Sequence, residues 1–296
     1  MNNKEEEKFS EAPTGFEVIK REFLKDKVAL FSLIILVSLI LIIFISSLLL
    51  NQEEVMTVSL LDKFARPGEG FWLGADSGGR SILGQLIIGA RNSIIIGFSV
   101  TIISQVIGIM VGLIAGYYAG RVDNIIMRII DFIMILPTTM VIIVFITIVP
   151  KYTVSKFIFI LTAFVWIGTA RLIRSKALSE GRKDYISASK TLGTSDIKIM
   201  LTELLPNISS IILVDLTLTF AGNIGIETGL TFLGYGLPPS TPSLGTLISY
   251  ASKPEIISTK LWVWLPASLL ILVLMLCINY VGQALKRASD ARQRLG

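Results

Sequence analysis

The sequence predicts an all-helical integral membrane protein with six spans. Three observations carry that prediction. First, the 296 residues are 52% hydrophobic and only 17% charged, whereas soluble domains average about a quarter charged. Second, the charge-free runs are long: residues 28–50 alone give 23 in a row, about 34 Å of helix against a hydrocarbon core of about 30 Å. Third, the runs are continuously apolar, without the short alternating segments of a membrane barrel. Helices, which satisfy their own backbone hydrogen bonds in lipid, are then the available solution.

The elements follow in chain order. Residues 1–27 form a tail with six basic and seven acidic residues. The run behind it is too long for the apolar region of a signal peptide, so it reads as a retained first span, 28–50. Residues 51–85, with Pro67 and several glycines, are the first loop. The second span is expected at 93–120 and the third at 125–149, with Arg128 and Asp131 near its start. Residues 157–170 are a run of only 14. Tyr152, Thr153 and the snorkelling ends of Lys156 and Arg171 extend it to a fourth span, 152–171. A polar loop, 172–206, precedes a fifth span at 208–226. The sixth lies at 262–283, and a tail, 284–296, closes the chain.

Six spans put both termini on one side of the membrane. The tails and the loops on that side carry 19 lysines and arginines, and the opposite side carries 8. The positive-inside rule places the termini and the 172–206 loop in the cytoplasm. Topology therefore accounts for the net charge of +5 without a nucleic-acid partner. There is no histidine, which removes the commonest metal ligand. The single cysteine, Cys277, sits in an apolar run and reads as packing.

The stretch "SASKTLGTSDIKIMLTELLPN" interrupts this lipid-facing chain. Gly193 divides it into two helical pieces. Tyr185, Ala188, Ser189 and Leu192 fall at i, i+3, i+4, i+7; Ile197, Met200, Leu201 and Leu204 repeat the spacing. Thr194 or Ser195 can cap the second piece, and Pro206 can open the fifth span. The pattern alone allows an apolar stripe laid under the bundle or a knob for a partner protein. Its spacing resembles the coupling loop of ABC importer permeases: a triplet E-A-A, three residues, a glycine, and a closing L-P. Ser187, Ala188 and Ser189 hold the triplet, Gly193 the glycine, and Leu205 and Pro206 the close. Ser187 replaces the triplet's glutamate, and Glu203 places an acid near the end.

Further segments are similar to the oligopeptide/dipeptide/nickel permease subfamily. They are "LGADSGGRSILGQLIIGARNSIIIG", "DNIIMRIIDFIMILP", "ETGLTFLGYGLPPSTPSLG" and "NYVGQALKRASDAR", spread over about 220 residues, with Leu244 and Ala291 as departures. The resemblance implies the fold of a type I ABC importer permease with a cytoplasmic coupling helix–turn–helix. It implies a transport subunit that is not itself an enzyme, for oligopeptides, with dipeptides, nickel or metallophore complexes as the alternatives. It also implies partners: a second homologous permease, two ATPase subunits that bind the ATP, and an extracytoplasmic peptide-binding protein. The chain itself has no phosphate-binding G-x-x-x-x-G-K-[ST] motif and no "GK" dipeptide, so no cofactor is expected on it.

Single residues add expectations. Gly108, Gly112, Gly116 and Gly120, with Ser104, form a small-residue face for close helix packing. Arg128 and Asp131, one turn apart, suggest a local ion pair. Asp215 stands mid-span without a charge nearby, and such a carboxylate costs about 2.5–3.5 kcal/mol to insert. Asp215 and Asn223 are therefore candidates for the translocation path. Glu227, Phe232 and Leu233, near the outer end of the fifth span, are candidates for contact with the binding protein. Two rival readings remain: a secondary transporter, which calls for paired broken spans, and an intramembrane protease using Asp131 and Asp215, which calls for carboxylates within a few ångströms.

Overall fold

The computed structural model describes residues 21–149, 153–238 and 240–295. Most of the predicted N-terminal tail (1–20), residues 150–152 and Pro239 lie outside them. Regular structure among the described residues is helical, apart from two isolated β-bridges, Pro67 with Phe71 and Ala75 with Ser81. Helix α1 is Lys27–Leu48, capped by the Asp26 carboxylate, which accepts from the Ala29 amide at 3.1 Å. Arg287 also reaches Asp26, at 2.5 Å, tying the two ends of the chain.

Helix α2, Ile82–Tyr118, has 37 residues and starts well before the predicted residue 93. Ser81 caps it, and Gln85, Arg91 and Asn92 are tolerated in its first turns. It ends where Ala119 and Gly120 both take positive φ, 51° and 52°. The predicted third span is two helices, α3 (Gly120–Ile135) and α4 (Thr138–Ile148), bent by 79°. Pro137 is the cause. It lacks an amide hydrogen and drives the residue before it out of the helical region; Leu136 accordingly has ψ 137°.

Helix α5, Val154–Glu180, continues nine residues past the expected end at 171. Its basic residues are compatible with a helix, and Gly181 terminates it. After α6 (Asp184–Thr191) comes α7, Asp196–Phe232, one helix of 37 residues. Pro206 was expected to open a new helix, yet it lies inside this one. A π turn at Met200–Leu204 sits just before it, closed by the Leu205 amide on the Met200 carbonyl. That wider turn absorbs the hydrogen bond the proline cannot make. After α7 the described residues from 233 to 243 hold no helix, and α8 (Leu244–Ser249) and α9 (Pro254–Thr259) follow. Helix α10, Leu261–Leu295, carries the sixth span into the expected tail without a break. Among the described residues, five helices are long and apolar enough to cross a membrane, or six if α3 and α4 count as one crossing.

Helices α2 and α5 pack in close contact. A Cβ on Gly108 would lie 2.7 Å from the Thr169 Cβ, on Gly112 2.7 Å from the Ala170 carbonyl, and on Gly116 2.5 Å from the Ala177 Cβ. Gly120 does not belong to that face; it sits beyond the helix end and has no neighbour within 4 Å of a Cβ. A second core joins α1, α2, α7, α8 and α10 through Leu36, Ile94, Ile224, Leu244 and Leu274.

The loop before α2 is organised by Asp76, which is 0% exposed. Its carboxylate accepts from the Gly78 and Arg80 amides, the Arg80 guanidinium, Gln85 and Tyr250, all at 2.8–3.0 Å. Gly74 is needed beside it, because a Cβ there would stand 2.6 Å from the Trp262 ring at φ 77°. The "LGADSGGR" segment thus builds a rigid cap that joins the loop before α2 to the one before α10.

Candidate functional site

The loop between α5 and α7 is a helix–turn–helix, and its turn explains Gly193. Leu192 ends α6, Gly193 takes φ 77°, and its amide bonds the Lys190 carbonyl at 3.0 Å. The Thr194 amide bonds the Ser189 carbonyl at 3.1 Å. These two bonds make a Schellman cap, which calls for a left-handed residue, ordinarily glycine. Ser195 occupies the cap position of the second arm, but its side chain makes no capping bond.

The loop has two apolar faces: one is laid under the bundle and the other is bare. Ile186, Ile199 and Leu204 are fully buried. They pack with Leu113 and Tyr117 of α2, Ile173 and Ala177 of α5, and Ile208 of α7. The other face is bare: Leu192 is 84% exposed, Ile197 65% and Leu201 54%. Ser187, Ala188, Gly193 and Pro206 are exposed with it, and Ser189 and Leu205 are half-buried. Of the predicted stripe, Met200 and Leu204 turn inward, while Ile197 and Leu201 turn outward.

Charged pairs brace the helices above this loop. Arg174 of α5 holds Asp123 of α3 with two hydrogen bonds. Asp131 is paired with Arg171 of α5, not with Arg128 as the sequence suggested. Its reach across to another helix outweighs the local spacing.

Higher in the bundle, Asp215 meets α2 and α5. Its Oδ2 accepts from Gln105 at 2.6 Å and from Thr169 at 2.7 Å. The Gln105 carbonyl oxygen is buried without a donor. Asp131 and Asp215 therefore have separate partners, and the arrangement does not assemble a protease dyad. Asn223 is 2% exposed and donates to Thr101 at 2.9 Å, so in this chain it holds α7 to α2 rather than lining an open space. Glu227 is 0% exposed. Ser93 donates to it at 2.8 Å and Thr231 at 3.0 Å, and Ser93 in turn accepts from the Leu244 amide. It pins α8 against α2 and α7 and offers nothing to a partner surface. That departs from the expectation, because its hydroxyl neighbours supply the donors that water would give outside. Phe232 and Leu233 are exposed, at 40% and 57%.

Sequence reasoning missed Tyr117, Arg174 and Gln105, and met Asp123 only as part of the family-like segment "DNIIMRIIDFIMILP". Gln105 and Thr169 could have been noticed as polar side chains in apolar runs. Their meeting with Asp215 joins residues 110 and 46 positions apart, which no local pattern encodes.

The multi-helix bundle that braces a helix–turn–helix with one bare apolar face is that of a membrane permease. Residues 108–295 match the family described as binding-protein-dependent transport system inner membrane component, and the chain belongs to that family. The oligopeptide transport system permease protein OppC of Lactococcus lactis subsp. lactis is 50% identical over 276 residues, 93% of this chain and 94% of the relative. The oligopeptide permease AmiD of Streptococcus pneumoniae is 35% identical, covering 92% and 88%. The dipeptide permease DppC of Bacillus subtilis is 32% identical, covering 93% and 85%.

Proposed function

We infer that the chain is a permease subunit of an ATP-driven oligopeptide importer, forming half of the translocation pathway. The names of its relatives support the substrate class, and the 50% identity to an oligopeptide permease favours oligopeptides over dipeptides. A second, homologous permease supplies the other half of the path. Two ATPase subunits bind and hydrolyse ATP below the membrane, and a peptide-binding protein delivers substrate outside. Both termini and the 184–206 loop face the cytoplasm, a reading supported by the charge count.

The observation that carries the reading is the bare face of Leu192, Ile197 and Leu201 set back-to-back with a buried face on three spans. ATPase subunits grip the bare face, and the buried face passes the movement to α2, α5 and α7. Because α7 is continuous from Asp196 to Phe232, a push on the loop moves a rod about 55 Å long. Asp215, on that rod, lies on the path and receives the cationic end of a passing peptide. Phe232 and Leu233 meet the binding protein. Gly193→Trp tests the coupling: it should lower uptake while ATP hydrolysis and membrane insertion persist, and normal uptake would refute the docking role. Asp215→Asn tests the path; unchanged uptake would reduce Asp215 to a packing residue.

A further inference from the structure

We propose that Tyr117 is the joint through which the cytoplasmic loop drives α2, so that force on the loop reaches a second span besides α7. This rests on the docking role of the loop given above. The second arm of the loop is the start of α7, so that span moves with it directly. Helix α2 has no such continuity; its last residue, Tyr118, lies 66 positions before the first arm of the loop at Asp184.

Tyr117 bridges that gap. It is the penultimate residue of α2 and is 8% exposed. Its hydroxyl donates to Asp196 Oδ1 at 2.7 Å. The Lys190 ammonium stands 4.3 Å from its ring centroid. Lys190 lies on the first arm and Asp196 on the second, with Gly193 between them. One aromatic side chain thus holds both arms of the turn at once, by a charge-assisted hydrogen bond and a cation–π contact. Leu113, Ile173, Ile186 and Ile199 surround it with apolar side chains, so both contacts are partly shielded from water.

The place of attachment suits a lever. Immediately after Tyr118 the chain reverses through Ala119 and Gly120, both at positive φ. The end of α2 is therefore a free mechanical terminus, not the middle of a longer rod. From there α2 runs past Gly116, Gly112 and Gly108 against α5, past Gln105 at Asp215, and up to Ser93 at Glu227. A tug at Tyr117 is carried past the contacts that hold the bundle. A phenylalanine would serve simple packing equally well; the hydroxyl and the two charged partners are what packing does not call for.

The test uses the full transporter, with both permeases, its ATPase subunits and its binding protein, in proteoliposomes. Uptake of a radiolabelled oligo-alanine peptide is measured against ATP hydrolysed. Tyr117→Phe keeps the ring and loses the hydroxyl. It should leave complex yield and ATP hydrolysis intact and lower uptake per ATP about fivefold, the ratio for one hydrogen bond of about 1 kcal/mol. Asp196→Ala should fall equally, and the double variant no further. Asp196→Asn, which retains an acceptor oxygen, should stay close to the wild type. Unchanged uptake per ATP in Tyr117→Phe overturns the proposal, as does a loss of yield that matches the loss of uptake, the mark of a packing residue. Gly193→Trp run alongside separates the two readings. If it uncouples and Tyr117→Phe does not, the joint is wrong and docking stands. If neither uncouples, docking has failed and the joint falls with it.

Discussion

Arg174 on α5 grips Asp123 on α3 with both arms of its guanidinium, Nε to Oδ1 at 2.7 Å and Nη2 to Oδ2 at 2.5 Å. The Asp123 side chain is only 9% exposed, and Arg174 supplies donors to both of its oxygens. The pair fixes the first of the two bent helices to the long α5 at the glycine seam, where Gly112 and Gly116 face the Arg174 backbone. Removing the arginine alone strands a carboxylate in poorly hydrated surroundings, which costs more than removing both charges. Arg174→Met should lower the melting temperature of the solubilised protein, and adding Asp123→Asn should restore most of it. The expected coupling in the double-mutant cycle is about 2 kcal/mol. Strict additivity would mean that the pair braces nothing.

The seam between α2 and α5 makes a second prediction by contrast. A Cβ on Gly112 would lie 2.7 Å from the Ala170 carbonyl and 2.8 Å from the Ile173 Cβ. Gly168, also in α5, has no neighbour within 4 Å of a Cβ. Gly112→Ala must push the helices apart and should cost about 1–3 kcal/mol. Gly168→Ala meets no obstacle and should gain up to about 1 kcal/mol in helix propensity. Thermal unfolding of the two variants should move in opposite directions; a shared sign would contradict the close approach of the helices.

The Asp76 cap gives a prediction in pH. Burial, and then the negative charge of Asp76, push the Tyr250 phenol up to about 12 from its usual value near 10. The folded state therefore holds this proton more tightly than the unfolded state does. Its contribution to stability is complete below pH 10 and is lost as pH climbs from 10 to 12, by about 2 kcal/mol. Wild-type protein should lose stability across that window more steeply than Tyr250→Phe, measured as melting temperature against pH. Parallel curves would place Tyr250 outside the cap.

How much of this was legible in sequence depends on the range of the signal. Apolar runs located the spans, and the Gly193 spacing located the loop, because both are local. Boundaries erred where polar residues continue a helix: α2 begins at Ile82 and α5 runs to Glu180, since a helix that leaves the lipid need not stop. Two prolines with equal local chemistry behaved differently. Pro137 breaks its span, while Pro206 is absorbed by a π turn whose inner face, Met200 and Leu204, is held by neighbouring helices. Only packing distinguishes them. Asn223 and Glu227 looked like functional polar groups because a sequence records their cost in lipid but not the hydroxyls of Thr101, Ser93 and Thr231 that meet them.

We propose that the bare face of the 184–206 loop receives force from an ATPase. A photo-crosslinking residue at Leu192, 84% exposed at the turn, tests it most directly in the assembled transporter. The account predicts an adduct with an ATPase subunit, formed from the cytoplasmic side and altered in yield by ATP. An adduct with the binding protein, or reaction from the outer side of sealed cells, would contradict it.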